Sequence, residues 1–139
     1  VHILDTAIPE PNDDQVLIKV IVTGTNPKDW KVPEWMGSNI NQGDDIAGVV
    51  EKVGANVTEF KPGDRVAAFH EMRSPHGSYA EYAIAWAYTT FHIPAKTSFE
   101  GTLQSVTVLA AKHKLLDLRL TWNELFRGLQ RLHPFPSQP

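Results

Sequence analysis

Three short stretches of this 139-residue chain carry side chains able to do chemistry. The first is Asn26-Pro27-Lys28-Asp29, where an ammonium stands beside a carboxylate. Lys28 can serve there as an electrophilic or anion-binding group, with Asp29 as its partner or as a base. The same residues also make an ordinary turn with a solvated lysine. The second stretch is the carboxylate pair Asp44-Asp45 at the start of a strand-like run. Neighbours on a strand point to opposite faces, so the pair is not expected to act as one dyad, and at most one should face a cleft. Hydrogen bonding to loop backbone is the plainer use. The third is His70-Glu71 with Arg73 and His76. Imidazoles titrate near neutrality and can move protons, but a spacing of six fits no helical metal motif, and loop histidines are commonly just solvated. The chain has no cysteine, which excludes disulfides, thiolate metal ligands and cysteine nucleophiles.

These residues sit among short β-rich runs. Gln15 to Val22 and Ile46 to Val53 are dense in β-branched residues, the first patterned as a strand buried on both faces. Arg65 to Phe69 is a third strand, introduced by Lys61-Pro62-Gly63-Asp64. Pro62 followed by Gly63 suits a type II turn, and Asp64 and Arg65 are read as structural. Ser78 to Ile84 is a fourth, with Tyr79, Glu81 and Ala83 on one face and Ala80, Tyr82 and Ile84 on the other. One tyrosine then belongs to the core and the other can line a pocket. Strands punctuated this regularly suggest a small barrel or sandwich.

From Ser105 onward the character changes. Leu115, Leu118, Trp122, Leu125, Leu129 and Leu132 follow a 3-4-3-4-3 spacing, one stripe of a helix. Thr121 and Glu124 fit a capping box, and Pro134 to Pro139 cannot continue a helix. The reading is a β-rich unit over 1–104 and a helical extension with a proline-rich end over 105–139. Of the tryptophans, Trp30, Trp35, Trp86 and Trp122 lie mostly near loops, where they can wall an apolar pocket, although core packing is the simpler use. A net charge of −3 gives no field for nucleic acid. Apolar runs are short and charge-interrupted, as Lys19 interrupts Val16 to Val22, so no membrane span is expected and a cytoplasmic location is.

Four segments occur together in order: Gly24-Thr-Asn-Pro-Lys-Asp-Trp-Lys31, Gly43-Asp-Asp-Ile-Ala-Gly-Val-Val-Glu-Lys-Val-Gly54, Phe60-Lys-Pro-Gly-Asp-Arg-Val66 and Gly77-Ser-Tyr-Ala-Glu-Tyr82. Through them the chain resembles the GroES-like catalytic domain of the medium-chain dehydrogenase/reductase superfamily. Within it, the zinc-independent quinone oxidoreductases and the fungal trans-acting enoyl reductases of polyketide biosynthesis are nearest. The resemblance implies a mainly β fold, a GroES-like partly open barrel, with the helical C-terminal extension added. It also implies that the loop bearing Asn26, Lys28 and Asp29 faces the catalytic cleft. The candidate catalytic residues are then Lys28, Asp29, Asp44, His70 and His76, and the candidate substrate contacts Asn26, Trp30 and Tyr79.

Zinc-dependent members of that superfamily carry a cysteine in place of Asn26 and a His-Glu pair in place of Asp44-Asp45. A catalytic zinc site wants thiolate or imidazole donors, whereas an amide is a poor ligand and two aspartates suit harder cations, so no metal is expected. The superfamily binds its nicotinamide cofactor on a glycine-rich turn at a helix N-terminus. No G-x-G-x-x-G occurs here, and after residue 77 the only glycines are Gly101 and Gly128. No cofactor is expected, with NADPH needed only if the chain is a piece of a longer reductase. The expected function is that of a truncated enoyl-reductase-like enzyme performing a non-redox step (cyclisation, isomerisation or a lyase reaction) on a polyketide-like small molecule. The alternatives are part of an NADPH-dependent reductase or a catalytically silent binding module. The stripe from Leu115 to Leu132 is expected to pair two copies into a homodimer, or else to pack on its own barrel.

Overall fold

The computed structural model describes residues 3–37 and 41–102. Its elements are strand β1 (Gln15–Thr23), helix α1 (Lys28–Met36), and strands β2 (Asp45–Val53), β3 (Arg65–Phe69), β4 (Tyr82–Trp86) and β5 (Thr90–His92). The strands form one antiparallel sheet in the order β4-β1-β2-β3-β5. The leucine stripe expected to form a helix and a dimer contact lies outside the described residues. Among those described, no helix is long and apolar enough to cross a membrane.

The β-branched runs become the core, as their composition requires. Val16 and Ile18 of β1, Ile46 and Val50 of β2, Val66 and Ala68 of β3, and Ala83 and Ala85 of β4 form one apolar cluster, with Val57 and Phe60 from the connecting loop. On the other face Ala47 and Ala67 pack with Ile93. Because β3 and β4 share one cluster without being sheet neighbours, the sheet curls around it. Register shifts between Leu17 and Ile18 and between Val20 and Val22 supply bends that such curling needs. The result is the partly open barrel expected from the sequence.

The Lys61–Asp64 turn forms as expected. Gly63 has φ +94°, the Asp64 N–H donates to the Lys61 carbonyl at 3.1 Å, and the Lys61 N–H donates to Asp64 Oδ2 at 3.0 Å. Arg65 donates to the carbonyls of Pro94, Ala95 and Thr97, and its guanidinium lies 4.5 Å over the Phe99 ring, a structural role.

The fourth strand is displaced from the expected Ser78 to Ile84. It begins at Tyr82 and runs to Trp86. The N–H groups of Ser78 and Tyr79 donate to the carbonyls of Gly43 and Gln42 at 2.9 and 3.1 Å, which docks this segment on the approach to β2. Tyr79 and Tyr82 therefore do not occupy opposite faces of one strand.

Gly48 sits in mid-β2, where a Cβ would run into the Lys19 carbonyl of β1. Gly48→Ala is accordingly expected to cost about 3 kcal/mol by forcing the two central strands apart. Urea unfolding measures this directly, and a loss well under about 1 kcal/mol would contradict the packing described.

Candidate functional site

Helix α1 starts where the sequence suggested a loop. Pro27 at its N-cap has φ −54°, a ready geometry for helix initiation, and it lacks an N–H that would need a partner. Asp29 in the first turn reaches back past it to accept the Asn26 backbone N–H at 2.7 Å. The expected turn with a solvated lysine is thus replaced by a helix start with its polar groups engaged.

These groups converge on the start of β2. Lys28 Nζ lies 2.9 Å from Asp44 Oδ1 and 3.1 Å from Asp29 Oδ1. The Tyr79 hydroxyl donates to Asp29 Oδ2 at 2.6 Å, and the Asn26 side-chain amide donates to Asp45 Oδ2 at 2.8 Å. The side chains of Asp29 and Asp44 are each 4 % exposed, against 27 % for Lys28. Both aspartates of the Asp44-Asp45 pair therefore reach residues 26–28, contrary to the expectation that only one could. Asp44 precedes the first residue of β2, so strand alternation does not separate them.

The electrostatics follow from this packing. Burial acts to lower the Lys28 pKa, but the hydrogen bonds and charges of Asp44 and Asp29 outweigh it and hold the ammonium above the ordinary lysine value. Burial also pushes Asp29 upward, and there the Tyr79 hydroxyl, the Asn26 N–H and Lys28 prevail, holding the carboxyl below its usual range. For Asp44 burial wins over Lys28, and the carboxyl is raised. Burial and the Asp29 carboxylate push the Tyr79 phenol upward. The same contacts thus favour the charged forms of Lys28 and Asp29 and the neutral, donating form of Tyr79. Such a cluster stabilises charge on a bound molecule more readily than it shuttles protons.

The ring nitrogens of His70 face away from the Lys28 cluster, toward β4 and Ser74. His70 is 3 % exposed, with Nδ1 2.6 Å from the Ile84 carbonyl and Nε2 3.0 Å from Ser74 Oγ and 3.2 Å from the Ser74 carbonyl. It bridges the end of β3 to edge strand β4, so it is neither solvated nor free for acid–base work. Its backbone N–H donates to the Asp44 carbonyl at 2.7 Å, which ties this seam to the Lys28 cluster. His76 is exposed with φ +71°, and its carbonyl accepts the Ile84 N–H. Spacing along the chain gave no sign of Ser74 or the Ile84 carbonyl as partners of His70.

The tryptophans correct another expectation. Trp30 and Trp35 are 57 % and 74 % exposed on α1, not in the core, while Trp86 donates from Nε1 to Glu71 Oε2 at 3.0 Å. Trp122 lies outside the described residues. A concavity of about 200 Å³ is bounded by His70, Glu71 and Trp86 among others and does not include Lys28. It is smaller than ordinary ligand pockets of about 300–1,000 Å³. Among the described residues, no three His, Asp or Glu side chains are placed to hold one metal ion.

Residues 12–95 match the model of the alcohol dehydrogenase GroES-like domain. A trans-enoyl reductase of Gibberella fujikuroi is 51 % identical over 124 residues, covering 85 % of this chain and 37 % of that protein. Human quinone oxidoreductase is 41 % identical over 101 residues, covering 69 % of this chain and 30 % of that protein. Among solved structures, the quinone oxidoreductase of Coxiella burnetii superposes with a TM-score of 0.62 at 31 % identity, covering 69 % of this chain and 33 % of that one. The chain thus spans about a third of the length of these relatives.

The two carboxylates that grip Lys28 should respond oppositely to pH. Asp29 is held below its unfolded value, so its stabilisation is present above about pH 4 and fades as pH falls through its folded pKa. Asp44 is raised, so its contribution is full below about pH 4 and is lost as pH rises through its folded pKa. At neutral pH, Asp29→Asn is expected to cost about 1.5–3 kcal/mol and Asp44→Asn distinctly less. Urea midpoints of the two variants check the order; equal losses or the reverse order would contradict it.

Proposed function

The chain belongs to the alcohol dehydrogenase GroES-like domain family, and on that premise we propose that it supplies the substrate side of an enoyl- or quinone-reductase-like site, with Lys28 as the cation for a substrate oxygen. At the coarser level the chain is enoyl reductase- and quinone oxidoreductase-like. One observation carries the finer reading: an ammonium gripped at 2.9 and 3.1 Å by two buried carboxylates while part of its side chain remains open to solvent. Unsaturated carbonyl compounds and quinones share one requirement, since negative charge gathers on the carbonyl oxygen as the conjugated system reacts. A preorganised cation meets that charge without reorganising. The substrate of this reading is a conjugated carbonyl compound, and the resemblance to trans-enoyl reductases supports a polyketide-like enoyl chain.

The exposure of the neighbours fits half of a site. Tyr79 is 40 % exposed and Trp30 57 %. Water screens a cation on such an open face, and the interaction strengthens once a further surface excludes that water.

The nicotinamide cofactor of such reductases does not fit the described residues. Its pyrophosphate requires free N–H groups and a glycine-rich turn at a helix start. Helix α1 begins instead at Asn26-Pro27-Lys28, with the Asn26 N–H already taken by Asp29 and with Asp29, Asp44 and Asp45 adding negative charge. Binding and charge stabilisation are the roles assigned to these side chains. The same Lys28 geometry also supports a second reading, in which a cofactor-independent isomerisation or cyclisation proceeds through the stabilised oxygen, since negative charge gathers on that oxygen in either reaction.

Acetoacetyl-N-acetylcysteamine in D₂O tests the proposal by exchange of its α-protons, which requires negative charge on a carbonyl oxygen. The chain is expected to accelerate exchange over buffer. Lys28→Met combined with Asp44→Asn, which removes the cation without stranding both buried carboxylates, should lower the acceleration ~100-fold. Calorimetry should show no NADPH binding. Absence of acceleration would overturn the role of Lys28, and micromolar NADPH binding would overturn the substrate-side assignment. Net formation of an isomerised or cyclised product from an enoyl substrate without NADPH would favour the second reading.

A further inference from the structure

Asp44 differs from the carboxylates around it. Asp29 Oδ2 accepts both the Tyr79 hydroxyl and the Asn26 N–H, and Asp45 Oδ2 accepts the Asn26 amide. Asp29 Oδ1 has no hydrogen bond but meets the Lys28 charge at 3.1 Å. Asp44 Oδ1 takes the same ammonium at 2.9 Å, yet its Oδ2 is buried with no donor against it, in a side chain 4 % exposed. An ionised oxygen in that position has lost its hydration with no hydrogen bond to replace it. A proton on it removes the cost.

Charge counting gives that proton a consequence. Lys28 contributes one positive charge, and Asp29 and Asp44 contribute two negative charges when both are ionised. The remaining charged and titratable groups near Asp44 are Asp45, next along the chain, His70, whose N–H donates to the Asp44 carbonyl, and Tyr79, whose hydroxyl donates to Asp29 and which stays neutral because burial and these carboxylates raise its pKa. An anion approaching the third N–H of Lys28 meets a net negative trio. With Asp44 neutral, the ammonium is balanced by Asp29 alone, and the repulsion falls.

Building on the reading of Lys28 as the cation for a substrate oxygen, we infer that this site takes up its anionic ligand together with one proton, which rests on Asp44 Oδ2. The ligand is an oxyanion, an enolate or a carboxylate. The proton comes from solvent and returns there on release, so no bond of the ligand is made or broken. The raised pKa of Asp44, set against the lowered pKa of Asp29, agrees on which carboxylate receives it.

Methanesulfonate is a suitable probe because it stays ionised throughout. The full chain, carrying ¹³C-labelled aspartate carboxyls, is titrated with it by NMR at steps from about pH 4 to about pH 8. Above the free-protein titration of Asp44, affinity should fall about tenfold per pH unit, and added probe should move the Asp44 carboxyl signal, not that of Asp29, toward its protonated position. Asp44→Asn should bind with a pH-independent affinity equal to the acid limit of the unmodified chain. Binding without pH dependence, or proton uptake at Asp29, would overturn the coupling and leave Lys28 as the anion site. No binding at any pH would overturn both.

Discussion

A single ammonium placed between two buried carboxylates joins helix α1 to the sheet. Among the described side chains, none from α1 enters either apolar cluster, and its tryptophans point outward. The helix start is secured by polar links: Lys28 to Asp44, Asn26 to Asp45, and Tyr79 to Asp29. Each link to a charged group contributes on the order of 1.5–3 kcal/mol where the charge is retained. The cluster that gives this surface its chemistry is therefore also what fixes the surface in place, and neither role can be changed without the other.

The same coupling reaches the barrel seam. The sheet order does not pair β3 with β4, and His70 spans the gap through the Ile84 carbonyl while its own N–H secures the Asp44 carbonyl. Ser78 belongs to this arrangement too, hydrogen-bonded to Thr23 at the end of β1 and, through its N–H, to Gly43. The strands that the core demands thus deliver the approach to β2, the start of α1 and the Tyr79 segment to one place. An apolar barrel provides rigidity, and a thin polar layer at its rim provides the charge.

Much of this was legible in the sequence, for identifiable reasons. β-branched density locates β1 and β2, and Pro62-Gly63 locates the type II turn that introduces β3, because in both cases the signal is local. Residue type and family resemblance single out Lys28, Asp29, Asp44 and Tyr79 one by one. Their mutual pairing was not legible, since Asp29 and Tyr79 are 50 residues apart and no periodicity links them. The fourth strand was misplaced because alternation in Ser78 to Ile84 is indistinguishable from a strand until the Gly43 and Gln42 carbonyls claim the N–H groups of Ser78 and Tyr79. His70 read as a loop histidine because a ring bond to a carbonyl 14 residues away leaves no trace in spacing.

The persistence of the Lys28 charge is the central claim, and ¹⁵Nζ NMR of a lysine-labelled chain measures it directly. Lys28 is expected to remain an ammonium to higher pH than a lysine in an unstructured peptide. Its side-chain protons should also exchange slowly, because two carboxylates hold them. Replacing both Asp29 and Asp44 by asparagine should remove the difference. A Lys28 signal that titrates at or below the peptide value, with fast-exchanging protons, would contradict the account.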